Sequence, residues 1–95
     1  MNKNVHKGQI VKSISGRDKG RYFIVIKICP DDMVLISDGT LRKIQKPKLK
    51  KIKHLELTTS LCDAVDQINY DDLQSQNAFI RRQLEILGYS NKRGE

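Results

Sequence analysis

The segment that most restricts the fold of this chain is the run YFIVIKIC, from Tyr22 to Cys29. It is rich in β-branched and aromatic residues, which favour strands, and it carries the strongest strand signal in the protein. Side chains alternate between the two faces of a strand, and here both faces are largely apolar. A strand that must be buried on both sides belongs in the centre of a sheet. The sequence therefore predicts a small closed sheet with this strand near its centre.

Shorter apolar runs, separated by turn signals, extend the predicted sheet. They predict strands over 10–14 and 33–36, and a fourth strand over 41–44 that Pro47 interrupts and 52–55 resumes. Pro30-Asp31-Asp32 turns the chain after the central strand, and Asp38-Gly39 is typical of a hairpin turn because this pair adopts φ > 0 readily. Short strands at intervals of about ten residues indicate a small β-barrel.

The second half of the chain changes to a helical period. The positions that recur on one helical face are Leu73, Asn77, Ile80, Leu84 and Leu87, of which only one is polar. They predict a helix over about 75–87, with Ser75 or Asn77 as its N-cap and Gly88 at its end. Its apolar face either packs on the barrel or binds a partner. Residues 63–67 fit a helical turn and a loop equally well.

The charge of the chain divides it into two parts. The net charge is +7, but residues 1–54 hold 14 Lys or Arg against 4 Asp or Glu, whereas residues 55–95 hold 4 against 7. The halves therefore carry +10 and −3, which suggests two units with different roles. We accordingly divide the chain into a barrel with a basic surface over 1–55 and an acidic linker with a C-terminal helix over 56–95.

Composition also argues against several classes of protein. Ninety-five residues suit one domain, and no stretch approaches the roughly 20 apolar residues that span a bilayer, so we expect a soluble, cytoplasmic protein without a membrane partner. Cys29 and Cys62 match no zinc-ligand spacing and are expected to be reduced thiols. The acidic pairs have no His or Cys at useful spacing. We therefore expect no catalytic residues, metal, cofactor or small-molecule substrate.

The basic run from Arg42 to His54, RKIQKPKLKKIKH, is the main functional signal. Seven of its thirteen residues are Lys or Arg and none is acidic, which is tolerated most easily beside a polyanion such as nucleic acid. Ile44, Leu49 and Ile52 lie among the charges, and a solvated tail has no use for them. The run is therefore interpreted as a packed phosphate-binding surface rather than a free basic linker.

A second basic segment, SGRDKGR, lies between the first two predicted strands. Its glycines allow backbone angles that other residues resist, and Arg17, Lys19 and Arg21 crowd its tip with Asp18 as the only counter-charge. Flexible glycines and basic side chains on a strand pair suit contact with phosphate oxygens. Spacing alone fits a solvated basic turn equally well.

The stretch from Gly8 to Ile28, GQIVKSISGRDKGRYFIVIKI, resembles the KOW motif. That motif has a leading glycine, an alternating strand, a Gly-basic-x-Lys-Gly turn and a second apolar strand. The positions that fit are Gly8, Val11, Gly16, Lys19, Gly20, Val25 and Ile28. Phe23 stands where many KOW sequences have a further glycine, so the chain is less similar to transcription elongation factors than to eukaryotic and archaeal large-subunit ribosomal proteins.

The resemblance extends beyond the motif itself. Asp38-Gly39 and the basic run to His54 resemble a bacterial set of stand-alone KOW-domain RNA-binding proteins, and the Ile80-Arg81-Arg82 helix does so more faintly. The likeness covers roughly residues 5–55. It implies a mainly β fold with C-terminal α, namely a small SH3-like barrel of the translation-protein type followed by a helix. It also implies binding to RNA, often ribosomal RNA, through the first loop and the adjoining basic strands.

The resemblance and the basic run together define a set of RNA-contact candidates. These are Arg17, Lys19, Arg21, Arg42, Lys43, Lys46, Lys48, Lys50, Lys51, Lys53 and His54, the last being equally compatible with a structural role. Exposed aromatics for base stacking are scarce, so we expect recognition of phosphate and shape. The function predicted is RNA binding in the translation machinery. Two alternatives stay open: docking on RNA polymerase or a ribosomal protein, and general nucleic-acid binding that includes DNA.

Overall fold

The computed structural model describes residues 5–63, 65 and 71–91, which form an antiparallel sheet and one α-helix. In chain order the elements are β1 (Gln9–Ser13), β2 (Tyr22–Cys29), β3 (Met33–Ser37), β4 (Lys48–Lys51), a 3₁₀ turn (Ile52–His54), β5 (Leu55–Leu61) and α1 (Leu73–Ile86). The strand order across the sheet is β4-β3-β2-β1-β5. The mainly β class with a C-terminal helix is confirmed.

Strand β2 is the centre of the sheet and separates two apolar clusters, as its two-sided pattern predicts. Phe23 and Val25 are buried in the cluster between the curled sheet and the 3₁₀ turn, which also holds Ile52 and Leu55 of the turn and of β5. Ile24 and its neighbours on the other face belong to the cluster under α1. Each face of β2 thus removes apolar area from water, at about 25 cal/mol per Å².

The predicted closure into a barrel is wrong for the described residues, because β4 and β5 remain the two edges of the sheet and no ladder joins them. The chain passes from one edge to the other through the 3₁₀ turn. There the N–H of Ile52 donates to the carbonyl of Asp32, and the carbonyl of His54 accepts from the N–H of Ile14. These bonds satisfy the polar groups of the turn, so the sheet curls over its core while remaining open.

The predicted strand over 41–44 is also wrong. Residues 38–47 form an irregular connection, and the fourth strand begins only after Pro47. The Asp38 side chain accepts the backbone N–H groups of Thr40 and Arg42, and the N–H of Ile44 donates to Asn77, so these donors are unavailable to a strand ladder. A side chain that offers the backbone an alternative partner competes with secondary structure in this way.

The sequence pattern does not predict the fifth strand, LELTTSL. The strand structure predicted at 52–54 is wrong, because the chain forms the 3₁₀ turn there. Strand β5 is mostly polar or exposed, and it owes its conformation to pairing with β1 along almost its whole length. Because the conformation of β5 depends on pairing with a distant segment, the local sequence does not indicate a strand there. The segment 63–67 lies mostly outside the described residues.

Helix α1 packs its apolar face on the sheet, which confirms that prediction. Ile80 and Leu84 are buried against β1 and β2. The helix begins earlier than predicted because Asp72, and not Ser75 or Asn77, is its N-cap; the Asp72 carboxylate accepts the N–H of Ser75 at 3.4 Å.

The end of α1 matches the prediction. Gly88 has φ +93°, and the N–H of Tyr89 bonds back to the carbonyl of Leu84, while that of Gly88 bonds to Glu85. These two bonds are those of a Schellman motif, which needs a residue with positive φ and therefore favours glycine. Within the described part of the chain, no helix has the length and apolar character needed to cross a membrane.

The β2–β3 turn generates a stability prediction. Asp31 and Asp32 have φ of +62° and +58°, in the left-handed region, which aspartate adopts at a cost that glycine avoids. We expect Asp32→Gly to raise the free energy of unfolding by about 0.5–1 kcal/mol, measured by urea denaturation. Asp32→Ala, which removes the same charge but keeps the Cβ, is the control and should bring no such gain. Equal stability of the two variants would contradict the prediction.

Candidate nucleic-acid interface

The basic loop between β1 and β2 is a tightly bonded hairpin connection. The N–H of Ser13 donates to the carbonyl of Arg21, and that of Gly20 donates back to Ser13. At the tip, Arg17 and Lys19 are exposed, whereas Asp18 between them is only 4% exposed. The two cations therefore face solvent while the one acidic side chain of the loop turns into the protein.

Two reciprocal ion pairs join this loop to the connection between β3 and β4. The Asp18 carboxylate accepts from Arg42 Nε at 2.8 Å, and the Asp38 carboxylate accepts from Arg21 at 2.6 Å. Each segment supplies one acid and one arginine, and both acids are buried, with Asp38 only 1% exposed. A buried carboxylate needs such a partner, so the pairs hold the two segments in a defined relation.

The 38–42 segment has its own internal bonds and lies close to α1. Besides accepting two backbone N–H groups through Asp38, it is held by the Ser37 hydroxyl, which donates to the carbonyl of Arg42 at 2.7 Å. Gly39 has φ +75°, and a Cβ there would stand 2.3 Å from the carbonyl oxygen of Asn77 in the helix. Only glycine allows this approach without displacement of the backbone.

Lys50 takes an unexpected position. Alternation along β4 directs Lys50 inward, where it is only 9% exposed and its Nζ donates to the carbonyl of Ser15 at 3.0 Å. The same alternation turns Leu49 outward, 49% exposed, so the prediction that Leu49 anchors the basic run is wrong. Ile44 and Ile52 are buried, which confirms that the run is packed at those two positions.

The structure sorts the predicted contact residues by accessibility. The exposed residues are Arg17, Lys19, Lys43, Lys46, Lys51 and Lys53. The partly exposed residues are Lys48, His54, Arg21 and Arg42, and Lys50 is buried. The contacts of Arg21, Arg42 and Lys50 bring the first loop, the 38–47 connection and β4 together. These three side chains organise the surface on which the others stand. That any of the eleven binds RNA stays a prediction.

A groove of about 620 Å³ opens along the connection and the start of β4, and we call it the basic groove. It is lined by Leu41, Arg42, Lys43, Gln45, Lys46, Pro47, Lys48 and Leu49. Four of the eight are cationic and none is acidic. The lining includes the exposed leucines Leu41 and Leu49, so the groove combines positive charge with some apolar contact area.

Asn77 fixes the position of the groove, a role that the sequence did not indicate, since there Asn77 was a candidate N-cap of the helix. Its Oδ1 accepts the N–H of Ile44, and its Nδ2 donates to Gln45 Oε1, both at 2.8 Å. The side chain is buried between the helix and the connection. Its signal in the sequence was a single polar residue in an apolar helical stripe.

Comparison with known proteins supports the fold. No protein-family model matches the chain, and no curated protein matches it. Among solved structures, the chain is similar to a chain of the crystal structure of the MjSpt4:Spt5 complex in conformation B, with 20% identity and a TM-score of 0.53. The match covers 64% of this chain and only 42% of that chain. At this identity the likeness shows a shared fold, and the fold alone.

The side chains of Lys50 and its neighbour Lys51 point to opposite faces of β4, which allows a matched pair of tests. We expect Lys50→Glu to lower the free energy of unfolding by about 3 kcal/mol, because it places a buried carboxylate against the Ser15 carbonyl. Lys51→Glu, on the exposed face, should change it by less than about 0.5 kcal/mol. Urea denaturation of both variants measures the difference, and equal losses would refute the inward position of Lys50.

Proposed function

We propose that this protein is a KOW-like RNA-binding protein of the translation machinery that holds structured RNA, ribosomal RNA in particular, through phosphate contacts. The basic groove carries the proposal, because it is a packed surface with four cationic and no acidic side chains. The role is one of binding, without catalysis. The exposed cations of the first loop and of β4 would enlarge the contact area.

Charge compensation within the protein supports this role. Asp18 of the first loop and Asp38 of the connection between β3 and β4 are buried and already paired with Arg42 and Arg21. The exposed lysines around them, such as Lys43 and Lys46, therefore have neither acid available as a counter-charge. A polyanion that releases its condensed counterions on binding would neutralise them.

The positions of the aromatic side chains favour phosphate over base recognition. Phe23 is buried in the core, Tyr22 and Tyr89 pack against each other with ring centroids 5.0 Å apart, and Phe79 packs in the cluster under the helix. Single-stranded RNA readers usually offer exposed rings on which bases stack. Among the described residues the aromatics are used internally, which fits binding to the backbone of structured RNA.

The salt dependence of binding tests the proposal. If about five cations reach phosphates, the slope of log affinity against log salt should be roughly −3 to −5 in filter-binding titrations against structured RNA. The double change Lys46→Gln with Lys51→Gln should reduce the magnitude of that slope by about 1.5. Lys12→Gln, on β1 and separated from β4 by β3 and β2, is the control of equal charge type and should leave the slope unchanged. Absence of binding at low salt would overturn the proposal.

Competition by duplex DNA distinguishes an RNA-dedicated surface from a general nucleic-acid surface. For the proposed function we expect duplex DNA to displace labelled RNA less effectively, phosphate for phosphate, than unlabelled structured RNA. Equal competition would favour the broader alternative, because charge alone does not separate the two polymers.

Docking on a protein, such as RNA polymerase or a ribosomal protein, is the second candidate. One observation favours it: the cross-strand neighbours Leu35 and Leu49 are respectively half-buried and exposed, so two apolar side chains lie side by side on β3 and β4. The similar structure is itself of a complex by its title. Co-sedimentation with ribosomes that survives RNase and high salt would favour this candidate, whereas loss on either treatment would favour RNA.

A further inference from the structure

A second cleft adjoins the 38–42 segment, which also contributes to the lining of the basic groove. Its volume is about 510 Å³, within the range of small-molecule sites, and it opens between that segment, α1 and the chain that follows α1. Three arginines line it: Arg21, Arg81 and Arg82. Sequence reasoning noted the helical pair only as part of a resemblance and assigned neither residue a contact.

The walls of this cleft are tied together by hydrogen bonds. Arg81 donates to the carbonyl of Gly39 at 2.6 Å, which joins the helix to the 38–42 segment. Asn91 accepts the N–H of Tyr22 and donates to its carbonyl, both at 2.8 Å, so the segment after the helix is joined to the start of β2. A cleft with fixed walls loses little conformational entropy when it binds a ligand.

The polar groups in the cleft favour an anion. The Asp38 carboxylate is already engaged by Arg21 and by two backbone N–H groups, so it has little capacity left for a cation. Arg21 Nε is buried and has no hydrogen-bond acceptor among the described residues. Arg82 is exposed, and Glu85 one turn further along the helix is the other acid of the lining. The lining therefore holds three guanidinium groups and two carboxylates, and the Asp38 carboxylate is already bonded within the protein.

We propose that this cleft binds the phosphate group of a ribonucleotide, with Arg82 and Arg21 as the principal donors. The guanidinium group has the planar, two-pronged geometry that matches phosphate oxygens. The exposed Thr40 hydroxyl and Ser90 lie on the same lining. The phosphate can come from two sources. One is a nucleotide within a bound RNA strand, and for that source the inference rests on the proposed function. The other source of the same chemistry is a free mononucleotide.

The position of the cleft connects it with the basic groove. Asp38 and Thr40 line the cleft, whereas Leu41 and Arg42, the next residues of the same segment, line the groove. An RNA strand held in the groove therefore passes within a few residues of the cleft. One phosphate of that strand bound in the cleft would add about 0.7–0.9 to the magnitude of the slope of log affinity against log salt.

Nuclear magnetic resonance with simple probes tests the cleft independently of RNA. We expect uridine 5′-monophosphate to shift the amide signals of Thr40, Arg82 and Ser90 in a saturable way, inorganic phosphate to shift the same signals more weakly, and uridine to leave them unchanged. Equal shifts with uridine, or no shifts with the monophosphate up to about 20 mM, would overturn the proposal.

Two arginine variants provide the matched comparison. Arg82→Gln should weaken binding of the monophosphate about tenfold, since a hydrogen bond to a charged group is lost. Arg17→Gln, at the tip of the first loop, should leave monophosphate binding unchanged although it lowers RNA affinity. Equal effects of the two variants on the monophosphate would refute a site at α1.

Titration with a short structured RNA then distinguishes the sources. Shifts at the same three amides, lost in Arg82→Gln, support a strand nucleotide in the cleft; shifts with the monophosphate alone support a free mononucleotide. If RNA binds at the basic groove while neither probe reaches the cleft, this inference fails and the proposed function stands. If the monophosphate binds but RNA does not, the proposed function fails and the cleft remains a nucleotide site.

Discussion

The reciprocal ion pairs between the first loop and the 38–42 segment are the constraint on which the surface of this protein depends. Asp18 with Arg42 and Asp38 with Arg21 join two segments that are distant in sequence and that otherwise consist of turns. Breaking a buried pair by removing one partner costs about 3–5 kcal/mol, because the remaining charge stays buried. For a small domain with marginal stability, such a loss would endanger the fold as well as the surface.

These pairs also divide the basic residues into two functional groups. Arg21, Arg42 and Lys50 have acceptors inside the protein and position the segments, whereas lysines such as Lys43 and Lys46 are exposed on the resulting surface. A count of positive charges treats both groups alike. The division explains why neutralising an exposed lysine and reversing Lys50 are expected to have different consequences, one for binding and the other for stability.

The fold was predictable where local sequence carries its own signal. The two-sided apolar pattern of Tyr22–Cys29 placed β2 at the centre of the sheet, and the helical period and Gly88 located the helix and its end. Prediction failed at 41–44 and at β5. In the first case Asp38 and Asn77 capture the backbone N–H groups, and in the second the strand depends on its pairing with β1.

The sequence by itself determined that the chain is basic in its first half, mainly β with a terminal helix, and that it carries a dense run of lysines. Those properties follow from residue composition and short-range periodicity. Only the tertiary structure decided which cationic side chains are exposed and unpaired with Asp18 or Asp38. The burial of Asp18, Asp38 and Lys50 depends on contacts between segments far apart in the chain. It also decided that Arg21 and Arg82 line the same cleft, an arrangement that no local sequence pattern encodes.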